Sequence, residues 1–334
     1  LAWGQSSAPA QPSTNSGSSS GPAASTSPSP PQGSGLENLE SMRLSDIGRT
    51  LHDWKLPLLI AASVLVFILL WSGDVIRPGA MGRSGRRVVK PLPIPIWLMT
   101  GFLIYAAPGM VLQSISKVSW IVGQNPDALQ ATAAPMVLSY LIAALLAIGL
   151  LIMTHKAAPQ AGLKLDWIDP PIGLGLLVLA MPFVLLSGDI AQIVNHSLTQ
   201  QPTADQPDAI AHPLLQLIVD NQHDPWSWAI IAAVVLAAPI VEEAVFRVYL
   251  QSALLGLLRN TWAAIIVTAV IFGTVHAIGS PQTASPWYAA VEVGMLGLCM
   301  GVAYERTKRI GVPIAMHAAF NALNVGLALW GTSG

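Results

Sequence analysis

Long uncharged runs alternate with short polar segments along most of the chain after residue 55. Eight runs are long enough to cross a bilayer core of about 30 Å, which takes about 20 helical residues. We place them at residues 56–72, 93–113, 133–153, 171–194, 226–256, 261–278, 286–304 and 311–330. The pattern therefore predicts an all-α polytopic membrane protein, a bundle of about eight transmembrane helices. The fifth run is too long for one straight crossing, and we expect Pro239 to kink or break it.

The chain before the first run has a different character. Residues 1–35 contain 11 Ser, 6 Pro and 5 Gly and no Lys, Arg, Asp or Glu, a composition typical of disorder. Residues 36–54 mix apolar and charged positions, which indicates an amphipathic pre-membrane helix. We divide the remainder into N-terminal transmembrane helices at 55–224 and a C-terminal transmembrane domain at 225–330.

Composition and charge narrow the class of protein. The chain is 53% hydrophobic and 10% charged, against about 25% charged in soluble domains, so we expect an integral protein of a bacterial-type inner membrane. A net charge of −1 without a basic stripe argues against nucleic acid as a partner. The single cysteine, Cys299, excludes an intramolecular disulfide.

The distribution of Lys and Arg predicts the orientation of the spans. These residues concentrate in four loops, which share one side of the membrane if eight spans alternate. The loops are 73–92, 154–170, 257–260 and 304–310. Because positive loops face the cytoplasm, we expect these four loops to be cytoplasmic and both termini to lie outside.

Two adjacent carboxylates and a guanidinium interrupt the fifth run. Each such charge costs roughly 2.5–3.5 kcal/mol near the bilayer centre, and an ionisable cluster at this depth is a functional site by default. Positions four apart share a helix face, so Glu243 and Arg247 are predicted to pair while Glu242 faces elsewhere. If Glu243 and Arg247 formed only a structural clamp between helices, the clamp would account for Glu243 but not for Glu242.

Two later runs also carry polar groups on one face. His276 lies four residues after Phe272, and His317 lies four residues before Asn321. Each could be an interhelical hydrogen-bonding residue on its own. If they converge with Glu242, a carboxylate and an imidazole can activate water, while a second imidazole and an amide can stabilise an oxyanion. Since His276 is near the outer end of its span and His317 near the inner end, convergence requires tilted or broken helices.

These residues resemble the motifs of a known family. Glu242-Glu243-x-x-x-Arg247, Phe272-x-x-x-His276 and His317-x-x-x-Asn321 are similar to the three motifs of the CPBP intramembrane proteases, which include the type II CAAX prenyl endopeptidases and the Abi proteins. The resemblance covers about residues 225–326 and makes 225–330 the catalytic domain. It implies an endopeptidase that cleaves near the C-terminus of a lipidated or hydrophobic peptide among membrane lipids. By position, Glu242 and His276 would activate water, His317 and Asn321 would hold the oxyanion, and Glu243 and Arg247 would be structural support.

The family has been described both as metal-dependent and as glutamate-dependent. We favour the reaction without a metal; a divalent ion such as zinc would be bound by Glu242, His276 and His317. Phe272 and Glu292 are candidates to line the cavity, although an interhelical hydrogen bond is the simpler expectation for Glu292. Two other classes stay open: a transporter or proton relay that uses the buried Glu and His residues, and a non-catalytic scaffold or immunity protein.

Overall fold

The computed structural model describes residues 35–83, 85, 87–115, 128–199, 213–278 and 287–331. In these ranges the chain is almost entirely helical and forms no strand, apart from isolated bridges between residues 163–164 and Arg309. Eight helices of the described residues are long and apolar enough to cross a membrane. The predicted all-α membrane fold is therefore confirmed. The predicted disordered segment lies outside the described residues except for Gly35.

The helices before the long fifth span are separated by short connections. They are α1 (Gly35–Ser72), α2 (Ala80–Arg83), α3 (Ile94–Ile115), α4 (Ala128–Ala157), α5 (Asp169–Thr199) and α6 (Pro213–Asp220). The chain divides into one unit ending at Leu56 and a second from Pro57 onward. The predicted pre-membrane segment, 36–54, is helical as part of α1; its place at the membrane surface stays a prediction, as does the cytoplasmic side of the basic loops.

The fifth span remains helical from Pro225 to Leu258, so Pro239 does not break it. Two stretches of wider π-helix accommodate the length and the proline. The order is α7 (Pro225–Ala232), π1 (Ala233–Ala237), α8 (Ala238–Glu243), π2 (Ala244–Leu250) and α9 (Gln251–Leu258). Three further spans follow, namely α10 (Thr261–Ile278), α11 (Trp287–Thr307) and α12 (Gly311–Gly331). π-Turns inside helices occur often at functional sites. Because they lie on both sides of α8, this segment is a candidate part of the functional site.

Small residues let the helices of the second unit approach closely, as is common in membranes. The backbones of α10 and α11 meet at Gly273, where an added Cβ would come within 3.0 Å of the Gly294 Cα atom. A Cβ at Gly101 of α3 would lie 2.9 Å from the Cβ atom of Tyr249 in π2. These contacts place α10 and π2, which carry predicted site residues, against rigid neighbours.

A buried polar network ties the loop before α3 to two helices. The Arg87 guanidinium donates to Glu305 Oε1 through Nε at 3.0 Å and Nη2 at 2.5 Å. Its Nη1 atom donates to the Ser252 hydroxyl at 2.8 Å and to the Ala161 carbonyl at 3.0 Å. Gln251 Nε2 donates to the same Glu305 oxygen at 2.8 Å. The network joins α9 and α11 one helical turn beyond Arg247.

Candidate active site

Glu243 is the most deeply buried acidic residue of the predicted site and contacts two other members of it. Its Oε2 atom lies 3.1 Å from Arg247 Nε, and both side chains are fully buried. Its Oε1 atom lies 2.9 Å from His317 Nδ1. The predicted pairing with Arg247 therefore forms, and Glu243 also orients an imidazole from α12, which the i, i+4 spacing alone could not predict.

His276 and His317 both direct their Nε2 atom towards Glu242. Carbonyl and ionised carboxylate oxygens only accept hydrogen bonds. The Nδ1 atom of His317 therefore donates to Glu243, and the Nδ1 atom of His276 donates to the Phe272 carbonyl at 2.8 Å. Each ring then turns Nε2 towards Glu242 Oε2, at 3.4 Å for His276 and 3.7 Å for His317. These separations exceed the usual hydrogen-bond length, so the three atoms face one another without direct bonding.

Phe272 lies at the centre of this cluster and is 1% exposed. Its ring centroid is 4.4 Å from that of His276 and 5.9 Å from that of His317. The Arg247 guanidinium carbon lies 4.7 Å from the same centroid on the opposite helix, a cation–π distance. The aromatic ring thus spaces the charged groups. Both imidazoles pack against this one side chain.

Asn321 is hydrogen-bonded to the backbone of the helix that carries Glu242. In π1 the Ala238 N–H donates to the Ala233 carbonyl, so the next residue, Pro239, would donate to the Val234 carbonyl if it had an N–H. Proline has none. Asn321 Nδ2 supplies the missing bond at 2.9 Å. One amide hydrogen is therefore used to hold α12 to π1, and the second remains for an oxyanion.

Glu292 lies where α11 packs against α5. A Cβ added to Gly188 would come within 3.0 Å of its Oε2 atom. Its role, in an interhelical hydrogen bond or beside the cavity, stays a prediction.

The cluster is partly accessible through two of its described side chains. The Glu242 and His276 side chains are 23% and 35% exposed, whereas that of His317 is 6% exposed. Glu243 and Arg247 are fully buried behind them. A substrate would therefore meet Glu242 and His276 first, and the other charged groups support these two from within.

Tyr140 is a polar residue that the sequence reasoning did not consider. It belongs to α4, a helix that packs against α7, π1 and α8 of the fifth span. A signal was present in the sequence, since Tyr140 is the thirteenth residue of the 30 in α4. Membrane tyrosines concentrate at the interfaces, so a hydroxyl at this depth indicates a polar neighbour.

The metal requirement of the cluster stays a prediction. Among the described residues, no group of three His, Cys, Asp or Glu side chains is identified as a metal site. Glu242 Oε2 nevertheless faces the Nε2 atoms of His276 and His317. The reaction steps considered below use the side chains and water.

Comparison with known proteins identifies the region around this cluster. Residues 224–323 match the family model described as type II CAAX prenyl endopeptidase Rce1-like. The match contains α7 to α11, with both π-helices, and the first half of α12, so every member of the cluster falls inside it. No curated protein matches the chain, and no solved structure does.

Proposed function

We propose that the chain hydrolyses a peptide bond near the hydrophobic or lipidated C-terminus of a substrate. The premise is that residues 224–323 belong to the Rce1-like type II CAAX prenyl endopeptidases and that the chain is an integral membrane protein of that protease family. The observation that carries the proposal is the approach of Glu242 Oε2 to His276 Nε2 at 3.4 Å and His317 Nε2 at 3.7 Å. A carboxylate beside an imidazole lone pair is a suitable base for water.

The first step is activation of water beside Glu242 and His276, whose side chains are partly accessible although the Glu242 Oε2 atom itself is buried. With Nδ1 of His276 donating to a carbonyl, its Nε2 atom carries a lone pair when the ring is neutral. A water molecule beside Glu242 Oε2 and His276 Nε2 donates one hydrogen to each. Its oxygen attacks the substrate carbonyl carbon while one of these bases takes the proton. General-base catalysis of this kind contributes about 10²–10⁴-fold.

The second step is stabilisation of the oxyanion. In the proposed mechanism His317 is an imidazolium, which donates through Nδ1 to Glu243 and through Nε2 to the oxyanion. The cluster is then neutral overall, because two carboxylates balance Arg247 and His317. The free amide hydrogen of Asn321 is the second donor. The C–N bond breaks as the proton held by Glu242 or His276 moves to the amine.

The test is product formation by the purified full-length protein in lipid nanodiscs. Peptides with a hydrophobic C-terminus, with and without a prenyl group, are incubated and analysed by mass spectrometry. We expect one shortened product from the wild type and at least about 100-fold less from Glu242→Gln and His276→Ala. Glu292→Gln is the matched control, since it removes an intramembrane carboxylate outside the cluster.

Chelation and flux measurements separate the alternatives. We expect full activity after dialysis against a chelator; loss that zinc restores would replace the metal-free mechanism. Proton or solute flux in liposomes without any peptide product would instead support a transporter. Equal cleavage by wild type and both cluster variants would refute the assigned roles.

A further inference from the structure

The connection between α4 and α5 exposes large apolar side chains outside the spans. Trp167 is 85% exposed, more than any other large apolar side chain of the described residues, and Leu165 is 70% exposed. Most other exposed apolar side chains of this size lie within the spans, where lipid would cover them. Leu165 and Trp167 lie instead between Ala157, where α4 ends, and Asp169, where α5 begins. Exposed apolar side chains grouped in this way indicate an interaction surface.

Arg309 holds this connection in place through two ion pairs. Its Nε atom lies 2.6 Å from Asp169 Oδ1, and its Nη2 atom lies 3.2 Å from Asp166 Oδ2. The Asp166 N–H donates to Asp169 Oδ2 at 2.8 Å, and the Asp169 N–H donates to the Asp166 carbonyl at 3.0 Å. Backbone bridges also join residues 163–164 to Arg309. The two exposed apolar side chains flank Asp166, so these contacts fix the backbone that carries them.

The same contacts place the connection at one end of the helix bundle. Arg309 belongs to the turn between α11, which ends at Thr307, and α12, which begins at Gly311. A Cβ added to Gly311 would lie 2.9 Å from the Asp169 Cβ atom, so α5 and α12 begin side by side. The ends of three spans therefore meet here. Since a span ends where hydrocarbon meets the headgroups, the connection lies at that boundary.

Ion pairing leaves the outward surface of the connection apolar and basic. The two nearby carboxylates, of Asp166 and Asp169, lie against Arg309. Residues 164–168 are all exposed, and three of them are apolar while one is the cation Lys164. Tryptophan concentrates at membrane interfaces, and cations beside apolar side chains are attracted to anionic headgroups. Lysine is depleted in protein–protein interfaces, so this composition favours lipid as the partner.

We propose that residues 164–168 are a membrane anchor, in which Leu165 and Trp167 insert into the boundary between headgroups and acyl chains. Segments that bind in this way bury their apolar side chains about 5–10 Å into that boundary. Lys164 faces the anionic headgroups of the same leaflet. Because Arg309 joins the anchor to the start of α12, insertion fixes the depth of that helix in the bilayer. The anchor is independent of the peptidase activity and needs no substrate for its test.

The test measures the depth of a spin label in nanodiscs of zwitterionic and anionic phospholipids. The label is attached to Leu165→Cys in a Cys299→Ala background, which leaves Trp167 in place. Its collisions with oxygen, which concentrates in lipid, are compared with its collisions with a nickel chelate, which stays in water. We expect the label about 5–10 Å inside the headgroup boundary. Met99→Cys, at a 72% exposed position of α3, gives the lipid reference, and Gln160→Cys, at an exposed polar position of the same connection, gives the water reference.

Replacing Trp167 tests its own contribution to the anchor. In the Leu165-labelled protein, Trp167→Gln should shift the label towards the water reference, whereas Trp167→Phe, which keeps a large apolar ring, should preserve its depth. A label at Leu165 that collides with the nickel chelate as often as the label at Gln160 would overturn the proposal and identify a surface open to a soluble partner. Rare collisions with both reagents would overturn it in favour of a contact with a second copy of the chain. An unchanged depth in Trp167→Gln would refute the insertion of Trp167.

Discussion

Pro239 and Asn321 act on the same backbone carbonyl, so their contributions to stability should not be additive. Replacing Asn321 by Ala removes the 2.9 Å bond to Val234 and leaves that carbonyl without a donor. Replacing Pro239 by Ala restores an N–H in the same turn. Whether the segment stays π-helical or relaxes to α-helix, a backbone N–H from residue 239 or 238 then reaches Val234. The side-chain donor becomes redundant.

The expected magnitude follows from the value of one hydrogen bond in apolar surroundings. Losing the partner of a buried carbonyl costs about 1–3 kcal/mol, so Asn321→Ala should destabilise the wild type by about 1–2 kcal/mol, since the Asn321 side chain is partly buried. In the Pro239→Ala background the same change should cost under about 0.5 kcal/mol. The coupling free energy between the two positions is then about 0.5–2 kcal/mol.

The measurement is a double-mutant cycle on the free energy of unfolding in mixed detergent micelles, followed by circular dichroism. Pro108→Ala is the control background, because Pro108 lies inside α3, away from π1. Asn321→Ala should cost as much there as in the wild type. The contrary result is an Asn321→Ala cost in the Pro239→Ala protein that matches the wild-type cost to within about 0.3–0.5 kcal/mol, as expected of independent sites. That result would show that Asn321 does not replace the hydrogen bond that Pro239 cannot donate to Val234.

Two other predictions concern residues that support the cluster. Arg87→Ala should lower the free energy of unfolding by about 3–5 kcal/mol, because it leaves the buried Glu305 carboxylate unpaired; a melting temperature close to the wild type would contradict this. Gly273→Ala should reduce stability and cleavage together, since the added Cβ collides with the α11 backbone and displaces the helix of His276. Gly149→Ala, which meets no atom within 4 Å, is the matched control and should preserve both.

The spans were predictable from the sequence because each one is a run of apolar residues of bilayer length. The second run, 93–113, corresponds to Ile94–Ile115, and the sixth, 261–278, coincides with Thr261–Ile278. Such runs follow from local composition alone. The behaviour of the fifth run was not predictable in this way. The span continues through Pro239 without a break, and Asn321 from another helix bonds the carbonyl that the proline leaves free.

The site was predictable in its membership but not in its internal contacts. Glu242, His276 and His317 could be selected because polar side chains are conspicuous in apolar helices. The second contact of Glu243, to His317, depends on how α8 and α12 pack. Phe272 lies at the packed centre of the cluster.

The sequence separation of the contacts has a consequence for biosynthesis. Glu243 finds Arg247 within its own helix, so this pair can neutralise itself as soon as the fifth span leaves the ribosome. Glu242 has no such local partner; His276 arrives with the next span and His317 only with the last, 74 residues after Glu243. Glu243 and Arg247 can therefore enter the bilayer already paired with each other, which lowers the cost of inserting the two charges. If the proposed mechanism holds, the cluster is complete only when the final helix is inserted, and a chain truncated before α12 should be inactive.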